Sequence, residues 1–418
     1  MKMKNKLFII LFFIFCYKLS VAQQEEFPLG SPYTIFGIGD IQYTSSLKTD
    51  AMNIQGISLY GDYVNNLNPA ANSKLSYTMI SASFKYSFLK SSDNIKSSTS
   101  SYGNVYGMNV GIPFNHDNGW VLNLGFNPLS QINYNIQNDV TLNGVNVSQI
   151  YAGNGGISRV NMGMTYKLFH NISIGGEYDY AFGNIKRLSY LQFNDPIYQN
   201  SFTRTENNLS GSYFKGGLIF DIGKILNLKS IENLTLGAIY QSSLTLESSE
   251  DVIYGTSLGQ DSATLARDNL RIPQAFGFGI TNQFGSRFIA SGDFFYQQWS
   301  QFTEGSAVVN DMKNSYRVGL GFIILPPEKR DKSFLEGIEY RFGFEYDNSY
   351  FLINNEQINR FGIGLGFGIP INKYNSIDIG INYYLRGKTD NGFIKDNLIK
   401  ITAGINIGEL WFLKPKED

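Results

Sequence analysis

Ile338-Glu339-Tyr340-Arg341-Phe342-Gly343-Phe344-Glu345-Tyr346-Asp347 sets an apolar residue against a polar or small one at every step. Side chains change face at each residue of an extended chain, so this stretch carries one apolar and one polar stripe on opposite sides of a sheet. A helix, turning about 100° per residue, would mix the two stripes. The period returns at Val160, Met162, Met164, Tyr166 and Leu168, alternating with Asn161, Gly163, Thr165 and Lys167. It returns again at Ile399, Ile401, Ala403, Ile405 and Ile407, alternating with Lys400, Thr402, Gly404 and Asn406.

Working outward from these stretches, strands fall near 75–90, 102–114, 118–136, 157–169, 171–190, 209–223, 232–248, 270–284, 286–302, 313–325, 335–351, 357–371, 374–388 and 397–411. A wall with lipid on one side and a wet lumen on the other needs this pattern. The expectation is an all-β fold, a 14-stranded antiparallel transmembrane β-barrel over residues 75–412, with residues 413–418 as a tail. An even count puts both ends on the periplasmic side. Connectors after strands 2, 4, 8 and 12 are tight, as at Asn115-His116-Asp117-Asn118 and His170-Asn171, whereas those after strands 3, 5 and 7 read as long outer loops. The loops after strands 5 and 7 are placed at Leu191 to Asn208 and Ser249 to Asn269.

The chain opens as an export signal: Lys2, Lys4 and Lys6, an apolar run from Leu7 to Phe15, then Ser20-Val21-Ala22. Residues 1–22 are expected to be removed, and the run is too short for a membrane helix. Cys16 follows Phe13-Ile14-Phe15, not the small residues of a lipoprotein site, so cleavage leaves no cysteine. Taking Lys2, Lys4, Lys6 and Lys18 from 34 basic residues leaves 30 against 35 acidic ones, a net charge of −5 and no footprint for nucleic acid. Counts of 27 Tyr, 32 Phe and 43 Gly with 17% charged residues suit a sheet with aromatic girdles, to which Trp120, Tyr178, Tyr180, Tyr383 and Trp411 are assigned.

Catalytic chemistry finds little material. The two histidines, His116 and His170, fall in turns far apart, so neither a nucleophile triad nor a zinc set is expected. Glu177, Asp179, Asp221, Asp293, Glu339, Glu345, Asp347 and Asp378 point inward, with Lys85, Lys167, Lys215, Arg317, Arg341, Arg360 and Lys400 as opposing charges. Paired carboxylates can serve acid–base work, but a charged wall facing a plug or water accounts for them. Gly37-Ile38-Gly39-Asp40 lacks the lysine of a phosphate loop and reads as a turn. No catalytic, cofactor-binding or metal-binding residue is assigned.

Residues 23–74, rich in Gly, Asn and Ser, lack sustained alternation. Gly362, Gly364, Gly366 and Gly368 either leave room in the lumen for this segment or relieve crowding and help bend the wall. Pro128, within the third strand, cannot donate to a ladder, so pairing breaks there or the strand ends.

The run Gly61-Asp62-Tyr63-Val64-Asn65-Asn66-Leu67-Asn68-Pro69-Ala70-Ala71 resembles the FadL/TodX family of outer-membrane barrels, whose N-terminal hatch carries Asn-Pro-Ala. Ile272-Pro273-Gln274-Ala275-Phe276-Gly277-Phe278-Gly279, with Asp293 and Trp299-Ser300, is similar to a further stretch of that family. The resemblance implies a hatch over residues 23–74, held in the lumen through Asn68, Pro69 and Ala70, and a lateral opening where the third strand bends at Asn127-Pro128. By the same resemblance the protein is a monomer of the Gram-negative outer membrane. It would pass small hydrophobic compounds, fatty acids or aromatic hydrocarbons, passively and sideways into the lipid. PorV-like relatives imply another role, a scaffold binding a partner in protein secretion or surface assembly. A channel should show a continuous apolar path from rim to hatch, and a scaffold a large exposed surface at one rim.

Overall fold

The structure, a computed structural model, describes residues 27–411 apart from Pro28, Ser45, Asn143, His170, 228–230 and 329–332. The signal segment with Cys16, the turn residue His170, Phe412 and the 413–418 tail lie outside the described residues.

The wall has fourteen strands: β1 Thr78–Ser92, β2 Ser97–Asn115, β3 Trp120–Leu142, β4 Val145–Leu168, β5 Ile172–Phe193, β6 Ser201–Phe220 and β7, in two pieces, Thr235–Gln241 and Leu244–Thr256. They continue as β8, Gly259–Ile272 and Ala275–Phe284, then β9 Phe288–Gln297, β10 Ser315–Ile324, β11 Glu339–Ile353, β12 Glu356–Pro370, β13 Ser376–Arg386 and β14 Lys395–Glu409. Each pairs antiparallel with its neighbours in sequence, and the ladder from Lys395↔Ser92 to Glu409↔Thr78 closes the ring. The interruption of β8 falls at Pro273-Gln274, where proline has no N–H to offer. We call the end carrying connectors 93–96 and 257–258 the upper end, and the end carrying 116–119 and 371–375 the lower end.

Alternation sorts the two faces. On β10, Tyr316, Val318, Leu320 and Phe322 are exposed while Ser315, Arg317, Gly319, Gly321 and Ile323 are buried. Phe361, Ile363 and Leu365 do the same on β12. So many exposed apolar side chains in register fit a surface covered by lipid rather than water.

The connectors correct one expectation. The turns after β2, β4, β8 and β12 are tight, but those after β3, β5 and β7 are short as well, at 143–144, 194–200 and 257–258. The stretches expected as loops, Leu191 to Asn208 and Ser249 to Asn269, are largely strand: β5 reaches Phe193, β6 begins at Ser201, and residues 249–269 form a hairpin of β7 and β8. Outside a bilayer both faces of a strand meet water. The period of two then vanishes from the sequence although the ladder continues, and every residue from Gly259 to Asn269 is exposed.

The described residues of 29–75 run inside the ring. Asp50 is bonded to Tyr106 of β2, Asn382 of β13 and Lys400 of β14, and Asn66 offers its carbonyl to Lys215 of β6 at 2.9 Å. Ser73 meets Ser173 of β5 at 2.7 Å. The β12 glycines serve both purposes considered above: a β-carbon on Gly364 would sit 2.6 Å from the Ala51 oxygen, whereas Gly362 makes room for the wall residues Glu345 and Tyr384.

Candidate functional site

The β2–β3 ladder climbs from Asn115↔Trp120 to Met108↔Phe126 and stops there. Above that point β2 stays paired with β1 up to Ser97, and β3 with β4 up to Leu142, so the two strands part and leave a seam. Two bulges sit at its foot. Tyr106 is the extra residue between Ser83↔Gly107 and Phe84↔Val105, and Leu129 the extra residue between Pro128↔Ser158 and Ser130↔Ile157. A bulge bends its strand and sharpens the twist, and Pro128, still paired with Ser158, has no N–H to carry a ladder toward β2. Asn127 is buried, its amide nitrogen donating to Asn109 of β2 at 2.9 Å and Asn161 of β4 at 3.0 Å, which ties three strands together just below the seam.

The N-terminal segment lines the seam from within. Asp40 and Ile41 pair antiparallel with Gln131 and Ser130 of β3. Gln42 donates its backbone N–H to Leu129 at 2.9 Å and its side-chain amide to the Tyr106 carbonyl at 2.8 Å, bridging the strands, while Lys85 donates to its amide oxygen at 3.0 Å. Gly37 and Gly39, with φ of +53° and +86°, let the chain turn into this position. Burial disfavours an ionised Asp40, but Arg386 at 2.6 Å, with Arg360 and Lys85 farther off, outweighs it and holds the carboxyl below its ordinary range. Outside the bridge lies a cavity of about 590 Å³ bordered by Tyr102, Asn104, Phe126, Pro128 and Phe182. Inside it lies one of about 100 Å³ whose lining includes Asp40, Lys85, Arg317, Arg360 and Lys400. The seam thus leads from a border that includes Phe126, Pro128 and Phe182 to a charged interior.

The apolar part of the lumen is closely packed. Trp299 stacks on Tyr350 with ring centres 4.2 Å apart, Phe36 on Phe351 at 4.6 Å, and Leu129, Ile132, Leu244 and Ile272 complete the cluster. The cavity bordered by Ile38, Leu129, Ile272 and Trp299 measures about 20 Å³, room for about one water molecule.

Asn68 and Asn127 are not brought together. Asn68 caps the turn Pro69–Lys74, its side-chain oxygen accepting from Ala70 N–H at 3.0 Å and its amide donating to Ile57 O at 2.6 Å and Leu218 O of β6 at 3.2 Å. A second clasp is Asp293 of β9, which accepts backbone N–H from Gly56 at 2.6 Å and Ile57 at 3.2 Å. Asp293→Ala should loosen this loop by about 1–3 kcal/mol, the worth of the two hydrogen bonds lost. Faster proteolysis near Gly56 in the assembled barrel would register the change; an unchanged rate would show that the clasp holds nothing.

The inward charges are largely paired. Arg341 meets Glu339 at 2.7 Å and Asp378 at 3.1 Å, Arg317 and Arg360 share Asp347 at 2.9 and 2.7 Å, and Lys74 holds Asp221. Residues absent from the sequence assignment form further pairs: Arg159 with Asp179, Arg386 with Asp40 and Asp396, and Asp50 with Lys400. Arg159 carried a signal, since it lies at an odd position on β4 like Asn161 and Gly163. Asp40 and Asp50 sit in a segment without periodicity and carried none. His116 is an exposed turn residue near Ser76 O at 3.0 Å.

Solved structures share this architecture. A Pseudomonas aeruginosa FadL homologue superposes with a TM-score of 0.63 at 11% identity, over 88% of this chain and 99% of that one. The Ralstonia pickettii toluene transporter TbuX gives 0.57 at 13%, covering 82% and 92%, and the Pseudomonas putida toluene transporter TodX gives 0.56 at 14%, covering 89% and 99%. At such identities the likeness establishes the fold alone. No curated protein matches the sequence. The family model named BamG matches residues 3–418, and the chain, a fourteen-stranded barrel of FadL-like architecture, belongs to the BamG family.

Proposed function

We propose that this barrel is an outer-membrane scaffold that holds a protein partner of a secretion or surface-assembly system at its upper rim. The rim faces the cell exterior, and the N-terminal segment, residues 23–74, acts as a permanent hatch after removal of residues 1–22. The observation that carries the reading is the close packing of the apolar cluster: the cavity bordered by Ile38, Leu129, Ile272 and Trp299 holds about 20 Å³, too little for the apolar path a passive channel needs. The rim supports it as well, since the β7–β8 hairpin projects with Gly259 to Asn269 wholly exposed. The test is purification from outer membranes in mild detergent, with and without residues 250–266. A surface protein should accompany the intact chain and be lost with the hairpin while the barrel stays assembled. A lone barrel carrying only lipid would end this reading.

The seam favours a second reading, passive uptake of a small hydrophobic compound, of the fatty-acid or aromatic-hydrocarbon class, with sideways exit past Phe126, Pro128 and Phe182. Under it, Pro128→Val, which restores a ladder donor and leaves the Asn127 tie intact, slows uptake of a fluorescent fatty acid at matched surface abundance. Equal uptake by both proteins would discard the lateral route.

A further inference from the structure

The directions of the strands at the seam do not alternate. β2 descends from the upper end, β3 ascends, and Asp40–Gln42, being antiparallel to β3, descends as well. Two descending segments therefore face each other across the opening, joined by the Gln42 side chain rather than by a ladder. One ascending strand between them would be antiparallel to both.

The edge of β2 is set up to receive it. Asp93 N–H donates to Lys96 O at 3.1 Å in the hairpin turn, which makes that pair a hydrogen-bonded one. In an antiparallel ladder bonded and non-bonded pairs alternate, so down to Phe84↔Val105 the backbone groups of Thr99, Ser101, Gly103 and Val105 point away from β1 and into the seam. Among the described residues none of the four has a ladder partner on that side. Unpaired edge groups are a template for an added strand, and the β3 edge already demonstrates this by accepting Asp40 and Ile41 of the chain itself.

We propose that the seam accepts one ascending β-strand from a partner protein, added antiparallel to the β2 edge over Ser97–Val105. The strand would alternate in character. Its inward side chains would meet Lys85, Tyr102 and Asn104, calling for polar groups, and its outward ones would lie beside the exposed rings of Phe126 and Phe182, calling for apolar groups. A lipid offers no row of donors and acceptors to match such an edge. The inference rests on the scaffold reading and names how the partner is held.

Benzoylphenylalanine incorporated at Asn104 of the full-length protein, irradiated in its own outer membrane, should give an adduct whose cross-linked peptide, identified by mass spectrometry, belongs to a different protein and alternates polar with apolar residues. The same probe at lipid-facing Phe344 should give lipid adducts. Ser101→Pro and Val105→Pro each delete one seam-facing donor without touching the ladder to β1. Each should lower the Asn104 protein adduct roughly fivefold, the equivalent of about 1 kcal/mol per hydrogen bond, while heat-modifiable migration shows a normal barrel. Lipid adducts at Asn104, adducts to this chain itself, or proline variants that assemble with undiminished adduct would each overturn the seam site. A partner that copurifies undiminished with both proline variants also overturns it and leaves the scaffold reading standing. If no protein copurifies with the unmodified chain, both fall.

Discussion

Deleting residues 27–72 should leave a barrel that assembles and conducts ions severalfold better than the intact protein in planar bilayers. The wall does not need the segment to close, because ladders between wall strands complete the ring and, among the described residues, the segment adds only the two-residue pairing at Asp40–Ile41. A fourteen-strand barrel is wider than the eight-strand size that its own side chains can fill. Without the segment, residues such as Asn382 and Lys400 would face water. Gly343→Val tests the same idea with one substitution, since a β-carbon there would fall on the Met52 carbonyl, which is backbone and cannot swing aside. The same leak should follow without any truncation. Conductance unchanged in both variants, with normal heat-modifiable migration, would mean that the segment does not control the lumen.

Lys215→Met should destabilise the assembled barrel by about 3–5 kcal/mol, the usual result of stranding one member of a buried ion pair. Lys215 of β6 is in contact with Glu177 and 3.5 Å from Asp179, both on β5, while Arg159 of β4 meets Asp179 at 3.2 Å and Tyr213 at 2.7 Å. All four charged side chains are almost completely buried. Removing the ammonium leaves Arg159 to hold Asp179 and leaves Glu177 without a cation at hand. Adding Glu177→Gln should therefore restore most of the loss, which simple loss of packing at Lys215 would not allow. Urea unfolding of lipid-reconstituted protein gives the comparison. A single-variant loss under about 1 kcal/mol, or no recovery in the double variant, would show that water screens the cluster.

How legible the molecule was depends on where each residue sits relative to the bilayer. Between lipid and lumen each strand must segregate its faces, so Val160–Leu168, Ile338–Asp347 and Ile399–Ile407 announced themselves, and fourteen strands emerged in their observed order. Above the bilayer that constraint lapses. The upper parts of β7 and β8 then read as a loop, although Thr256↔Gly259 to Leu244↔Ile272 is a ladder. Pro128 marked the seam because a missing N–H is a local fact, whereas the bulges at Tyr106 and Leu129 have no such mark.

The sequence by itself determined the barrel, its strand count and much of the inward charge on the wall strands, since all three follow from periodicity and residue type. Only the tertiary structure decided which charges meet, how full the lumen is, and that Asp40–Gln42 descends beside β3 to face a descending β2. Those outcomes depend on contacts such as Gln42 with Tyr106 and Asp50 with Lys400, 64 and 350 residues apart. Such pairings are set by ring closure and chain direction, quantities that no local pattern of residues encodes.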